Sequence, residues 1–388
     1  MTRRNLTLPA LLLLLAGCAA VPPAPSCPSC PSVEASKPAA KPLQPASWAD
    51  LPGWEGDDHA AAFELFKAQC ATLGKRPLWL STCESVQKVG AGDTARAWFE
   101  SNFRPWQLVN PDGNREGLVT GYYEPVVRGS RTQKAPYLTP VFGPPDDLII
   151  VDLAALYPEL KHMRLRGRLI ETDRGRKLVP YFSRADWAAE EQRRADKALL
   201  WTDDPVAFFF LQIQGSGQVE LDDGSRVRIG YADQNGHPYR SIGTWLIEQG
   251  ELKSHEASMQ GIKAWAGKNP QRLQELLNAN PSLVFFRELP VTGNGPPGAL
   301  GVPLTPERSI AVDPRHTPLG APVWLATTQP NSPQTLNRLM LAQDTGGAIR
   351  GPVRADFYWG SGAEAGTQAG KMKQPGRIWV LLPHWHAP

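Results

Sequence analysis

The sequence predicts a mainly β protein with helices, arranged as two domains or as one large domain with an insertion. Three observations predict it. Strand signals dominate from Val126 to about Gly230. From Ser309 onward, short apolar runs alternate with Gly and Pro turns, which suggests a small barrel rather than an open α/β sheet. At 388 residues the chain also exceeds one typical domain.

Composition narrows little. The chain is 41% hydrophobic and 20% charged, with a formal charge of +3. Its basic residues are scattered, so nothing argues for nucleic acid as a partner. Thirteen Trp suit stacking on sugar rings, but Trp is equally a core residue, and the count alone decides nothing.

Arg3-Arg4 and the apolar run Leu8 to Ala16 form the charged and apolar parts of a secretory signal, too short for a membrane span. It ends in Leu15-Ala16-Gly17-Cys18, a lipobox in which Cys18 would be lipidated and become the first mature residue. Ala19 after that cysteine points to the outer membrane, with the protein facing the periplasm. Residues 18–47 then read as a Pro/Ala/Ser-rich spacer. Its Cys27 and Cys30 read as a local disulfide or an idle pair. Export implies an oxidising compartment, where Cys70 and Cys83 could form a structural disulfide. No metal site and no cofactor is suggested.

In chain order, Trp48 to about Val109 reads as helical. Asp58 caps one helix bearing Phe63, Phe66, Cys70 and Leu73; Asp93 caps another bearing Ala97, Trp98 and Phe103. Gly117 to Pro125 is strand-like. Its Thr120, Tyr122, Tyr123 and Glu124 could line a carbohydrate groove, and a buried strand with a Gly bulge explains it equally well. Leu148 to Val151 reads as a buried strand, Arg166–Ile170 and Lys177–Phe182 as weaker ones, and Ser183 as a helix start. Phe208 to Gly217 reads as an apolar strand entering a Gly-rich loop. Gln218 to Ile229 reads as a hairpin turning at Asp223-Gly224. Gly215-Ser216-Gly217 is too short to cradle a phosphate. Asn235 to Tyr239 is a turn. Helices are expected from near Ser254 and from Asn269-Pro270, and a strand over Ser282–Phe286.

The final region carries the chemistry. Leu339 to Ala342 is a strand that ends at Gln343-Asp344 before Thr345-Gly346-Gly347. Asp356 then stands beside Phe357-Tyr358-Trp359. A carboxyl flanked by aromatics is a candidate for desolvation, which raises its pKa and suits it to proton donation. The plainer alternative makes Asp344 a turn former and Asp356 a strand-end acid facing water.

Long motifs identify the family. LVTGYYEP at 118–125, FLQIQGSGQV at 210–219, NGHPYRSIG at 235–243, NPSLVFF at 280–286 and AQDTGGAIRGPVRADFYWG at 342–360 resemble the MltA family of membrane-bound lytic murein transglycosylases. The C-terminal part, about 305–382, is similar to a 3D domain, whose three aspartates would be Asp313, Asp344 and Asp356. The resemblance implies a discontinuous double-psi β-barrel catalytic domain from 48–125 and 289–388. A β-rich domain at 126–288 would be inserted in it, with a groove between the two.

It also implies a peptidoglycan lytic exotransglycosylase, a lyase that cleaves the β-1,4 bond between N-acetylmuramic acid and N-acetylglucosamine and leaves a 1,6-anhydro end. Asp356 would be the acid, then the base. Asp344, and less firmly Asp313, would hydrogen-bond or orient it. Thr120, Tyr122, Tyr123, Gln214, Ser216 and Asp313 would bind substrate. The implied partners are glycan strands and the outer membrane through the lipid anchor, with peptidoglycan synthases as candidate protein partners. Two rivals stand beside this: a hydrolytic muramidase pairing Asp356 with Asp344, and a lipoprotein that binds peptidoglycan without cutting it.

Overall fold

The computed structural model describes residues 40–89, 94–290 and 295–386. Cys18, Cys27, Cys30, Asp93 and most of the spacer lie outside the described residues. The end of the expected spacer is part of the fold. There β1 (Leu43–Pro45) pairs antiparallel with β2 (Phe103–Leu108), and an edge strand tolerates Pro45 because one side of its backbone needs no ladder partner.

Three helices intervene: α1 (His59–Leu73), α2 (Leu80–Val86) and α3 (Thr94–Asn102). Asp58 caps α1 by accepting from the Ala61 N–H. Phe63, Phe66, Trp98 and Phe99 pack their rings together between α1 and α3. A disulfide joins Cys70 to Cys83 and hence α1 to α2. The expected helical stretch ends early, since Phe103 opens β2. Pro105 has no N–H to continue a helix, and Phe103, Pro105 and Gln107 alternate inward.

After β3 (Gly117–Glu124) come β4 (Val126–Ser130) and β5 (Thr139–Phe142). A separate small sheet holds β6 (Ile149–Ile150), β7 (Arg166–Thr172) and β8 (Gly175–Pro180). The run Leu148–Val151 is therefore not a buried strand: only two residues pair, and Ile150 is 63% exposed. A short apolar run has no core to enter when its sheet lies outside the main layers. Next come α4 (Arg184–Glu191), opened by a capping box at Ser183, and β9 (Ala198–Thr202).

The expected strand over Phe208–Gly217 is instead a helix, α5 (Pro205–Gln214). Asp204 accepts from the N–H groups of Val206 and Ala207, Pro205 takes the first helical position, and Gly215 ends the helix at φ 79°. Start and stop signals outweighed the β propensity of three Phe residues. The hairpin of β10 (Ser216–Leu221) and β11 (Arg226–Gln234) follows as expected.

Three more helices complete this part: α6 (Ile242–Glu248), which was not foreseen, α7 (Met259–Lys268) and α8 (Leu273–Asn278). α7 is capped by Ser258, not started near Ser254. Pro270 opens a 3-10 turn that leads into α8. Strand β12 (Val284–Leu289) closes the segment.

The remaining elements are β13 (Ser309–Val312), β14 (Pro322–Thr328), β15 (Thr335–Asp344), β16 (Arg354–Ser361), α9 (Gly362–Lys371) and β17 (Lys373–Pro383). Six strands close on themselves in the order β17, β14, β15, β13, β16, β3 and back to β17. Closure depends on the length of β17: Lys373–Gly376 pairs with β3, while Trp379–Pro383 pairs with β2. This ring accords with the barrel expected from the short strands. The second sheet runs β12, β11, β10, β4, β9, β5. Helix α9, also unforeseen, packs on β3 and β16. Gly121 permits it, because a Cβ there would lie 2.9 Å from the Ala369 Cα.

Candidate active site

Strand pairing sets Asp344 on β15, Ala311 on β13, Asp356 on β16 and Thr120 on β3 in one cross-strand row. Paired residues point to the same face of a sheet. Ala355 and Phe357 enter the hydrophobic core and Trp359 packs against it, so Asp356 and Tyr358 face the other way. The aromatic flank read from the sequence is thus only partly real. Of the three rings beside Asp356 in the chain, Tyr358 alone shares its face.

Asp356, Asp344, Thr120 and Tyr122 are all half-buried. Each is shielded from much of the solvent, and each keeps an accessible edge. Thr120 donates its hydroxyl proton to Asp356 Oδ1 at 2.5 Å. Arg354 donates to Thr120 Oγ1 at 2.8 Å and also to the Leu118 carbonyl. Burial pushes the Asp356 carboxyl above the usual range; the Thr120 hydrogen bond and the Arg354 charge pull it down, and the Asp344 charge pushes it up again. The net direction is upward.

Asp344 is held differently. Its Oδ1 accepts from the N–H groups of Ala299 and Thr345, both at 2.9 Å, and its Oδ2 from the Tyr122 hydroxyl at 3.1 Å. Burial raises its pKa, against the pull of those three donors. It makes no hydrogen bond to Asp356, so the expected link between the two acids is electrostatic. Asp313 is not joined to Asp356 either. Only 1% exposed, it pairs with Arg315 at 2.6 Å and accepts from the Gly351 N–H at 2.9 Å. Burial would raise this carboxyl, but those partners hold it far below the usual range.

The other expected residues are more scattered. Tyr122 lies on the face of Asp356 and packs its ring, tilted, against Tyr358 with centroids 5.2 Å apart. Tyr123 takes the opposite face, under Met259 and Gly366. Gln214 accepts from the Tyr123 N–H at 3.3 Å, which ties the end of α5 to β3. Ser216 opens β10 and is half-buried. Sequence reasoning missed Arg354 and Ala311, both legible from strand alternation and pairing around Asp356. Glu124, offered as a groove residue, does not line one: it is fully buried and paired with Arg228 at 2.7 Å. A cavity of about 250 Å³ opens elsewhere, beside Arg184, Trp187 and Glu191, and none of the acids above lines it.

Comparison with known proteins places this site in context. The MltA specific insert domain matches residues 118–287, and the 3D domain matches residues 308–382. Membrane-bound lytic murein transglycosylase A of Escherichia coli K12 is 33% identical over 299 residues, 75% of this chain and 72% of that protein. The crystal structure of MltA from Neisseria gonorrhoeae superposes with a TM-score of 0.78 at 39% identity, over 89% of this chain and 94% of that one. E. coli MltA with bound chitohexaose gives 0.67 at 28% identity, over 91% and 96%.

Proposed function

The chain belongs to the MltA family of lytic murein transglycosylases, and from that premise we propose that Asp356 is the single acid and base of its reaction. The protein is a peptidoglycan lytic transglycosylase, and its glycan-binding face carries the row from Asp344 to Thr120. The observation that carries the reading is the asymmetry of the two acids. Both oxygens of Asp344 are engaged by three donors, whereas Asp356 has one oxygen bonded to Thr120 and the other without a hydrogen-bond partner among the described residues.

The chemistry follows from that asymmetry. Protonated Asp356 gives its proton to the glycosidic oxygen as the C1–O bond breaks, and the N-acetylglucosamine side leaves as an alcohol. The oxocarbenium-like C1 is stabilised by the N-acetyl oxygen of the substrate. The C6 hydroxyl then closes on C1, and Asp356 recovers a proton from it. No water is consumed, and a 1,6-anhydromuramic end results. Asp344 is held by three donors, and its charge, when ionised, raises the proton affinity of Asp356. A hydrolase using both acids would need Asp344 free to attack C1 or activate water, and three donors already engage it.

We assign 48–125 and 289–388 to the catalytic barrel and 126–288 to the inserted domain, close to the membership of the two larger sheets, although β1 joins the barrel sheet and β12 runs on to Leu289. Among the described residues no helix is long and apolar enough to cross a membrane. The relatives are named membrane-bound, and a lipid on Cys18 would anchor this chain to the outer membrane facing the periplasm. Loss of labelled fatty acid in Cys18→Ser tests that anchor. The chemistry is tested by mass spectrometry of muropeptides released from sacculi by the soluble form beginning after Cys18, beside Asp356→Asn. Anhydro ends lost in the variant are expected. Reducing ends would overturn transglycosylation, and no release by either form would leave a binding protein.

A further inference from the structure

We propose that Arg354 and Thr120 form a latch that fixes which oxygen of Asp356 carries the transferable proton, namely Oδ2. The inference rests on Asp356 being the acid, as argued above. A guanidinium only donates, so Thr120 Oγ1 must accept from Arg354. The guanidinium is itself held by donation to the Leu118 and Ala355 carbonyls. Among the described residues the Thr120 hydroxyl has one other partner, Asp356 Oδ1 at 2.5 Å. Its single proton therefore points at Oδ1, which acts as an acceptor.

Were Oδ1 to carry the acid proton, that proton would point back at Thr120, and the threonine hydroxyl hydrogen would lose its acceptor in a half-buried site. The acid proton accordingly resides on Oδ2. The same bond fixes the carboxyl plane, so the proton is presented in one direction. Thr120 and Arg354 are then positioning residues, and Thr120 acts on Asp356 rather than on the sugar.

The ionisable groups around Asp356 are Arg354 and Tyr358 on its own strand, Asp344 on β15 and Tyr122 on β3. Lys373 on β17 pairs with Thr120 at the end of the row and is exposed. The latch donors pull the Asp356 proton affinity down, so losing either one moves the high-pH limb of kcat to higher pH.

The test measures kcat, KM and pH dependence on soluble glycan strands for Thr120→Val, Thr120→Ser, Arg354→Met, the Thr120→Val/Arg354→Met double variant and Asp356→Asn. Thr120→Val should lose roughly 10- to 100-fold in kcat with little change in KM. Thr120→Ser should recover most of it. The double variant should fall no further than Thr120→Val alone, because Arg354 acts through the hydroxyl. Wild-type kcat in Thr120→Val, a loss confined to KM, or multiplicative losses in the double variant would overturn the latch. If Thr120→Val fails to fold, Arg354→Met decides by its kcat and its high-pH limb. An active Asp356→Asn would instead sink the assignment of the acid itself.

Discussion

Asp344 and Asp356 stand in one cross-strand row of the barrel with a single residue, Ala311, between them. The short methyl of Ala311 occupies that central position while the two carboxyls keep their partners on either side. Ala311 is 3% exposed, so a larger residue has nowhere to turn. Ala311→Val should destabilise the protein by about 1–3 kcal/mol through overpacking. Turnover should fall further than stability explains, since the branched side chain crowds the two acids. Thermal denaturation and kcat measured on the same preparation check this, and unchanged turnover would show that the row has slack.

The two raised carboxyls set a pH dependence with a definite sign. Asp356, as the proposed acid, donates only when protonated, so activity should be lost as pH rises through its elevated pKa. The Asp344 charge contributes to that elevation. Asp344→Asn should therefore move the high-pH limb of kcat toward lower pH, besides lowering kcat. Stability carries the same linkage. A carboxyl whose folded pKa lies above its unfolded value stabilises fully below the unfolded pKa, and that contribution is lost as pH rises through the folded pKa. Asp356→Asn should melt higher than wild type at neutral pH, and the gap should close in acid. A melting temperature equal to wild type at pH 7 would contradict the burial of this group.

Much of this was legible in the sequence, and the failures share a cause. The short strands from Ser309 onward, the hairpin at Asp223-Gly224 and the cap at Asp58 each rest on a local signal, and each is found in the structure. Phe208–Phe210 was misread because an apolar run of that length suits a strand or a helix, and the deciding signals lay at Asp204, Pro205 and Gly215. The closure of the barrel through β17 depends on contacts some 250 residues apart, which no local pattern reports. At the site, Asp356 and Asp344 stood out as residues. Thr120 and Tyr122 were also named, as groove residues, but their bonds to the two acids were not, because Thr120 reaches Asp356 only once β3 lies beside β16.

Asp313 contributes by holding the connection between the two acid-bearing strands. Its Oδ2 accepts from the N–H of Gly351, which lies between β15 and β16. Asp313→Ala leaves that N–H without its partner and should cost about 2 kcal/mol; Asp313→Asn, which keeps an acceptor, should cost less. The folded pKa of Asp313 is depressed, so its contribution is present above the unfolded carboxyl pKa and fades as pH falls through the folded value. The stability difference between wild type and Asp313→Ala should thus be largest near neutral pH and shrink in strong acid. A difference that grows in acid would refute the pairing with Arg315.

Glu124 ties the barrel to the second sheet, and its burial makes that tie asymmetric under mutation. It ends β3, four residues beyond Thr120, and accepts from Arg228 on β11, Gln218 on β10 and Ser361 on β16. Both members of the ion pair are almost wholly inaccessible. Removing the carboxylate takes the ion-pair partner from a buried guanidinium, so Glu124→Ala should cost about 3–5 kcal/mol. Replacing both, as in Glu124→Gln with Arg228→Met, removes the buried charge and should recover much of the loss. The second readout is kinetic. Because Ser361 and Thr120 lie on the strands that carry the acid and its hydroxyl partner, Glu124→Ala should lower kcat even at temperatures where the protein stays folded. Calorimetry and turnover on wild type and the two variants decide the point: single and double variants of equal stability would mean that the pair is solvated and the sheets are held together by other contacts.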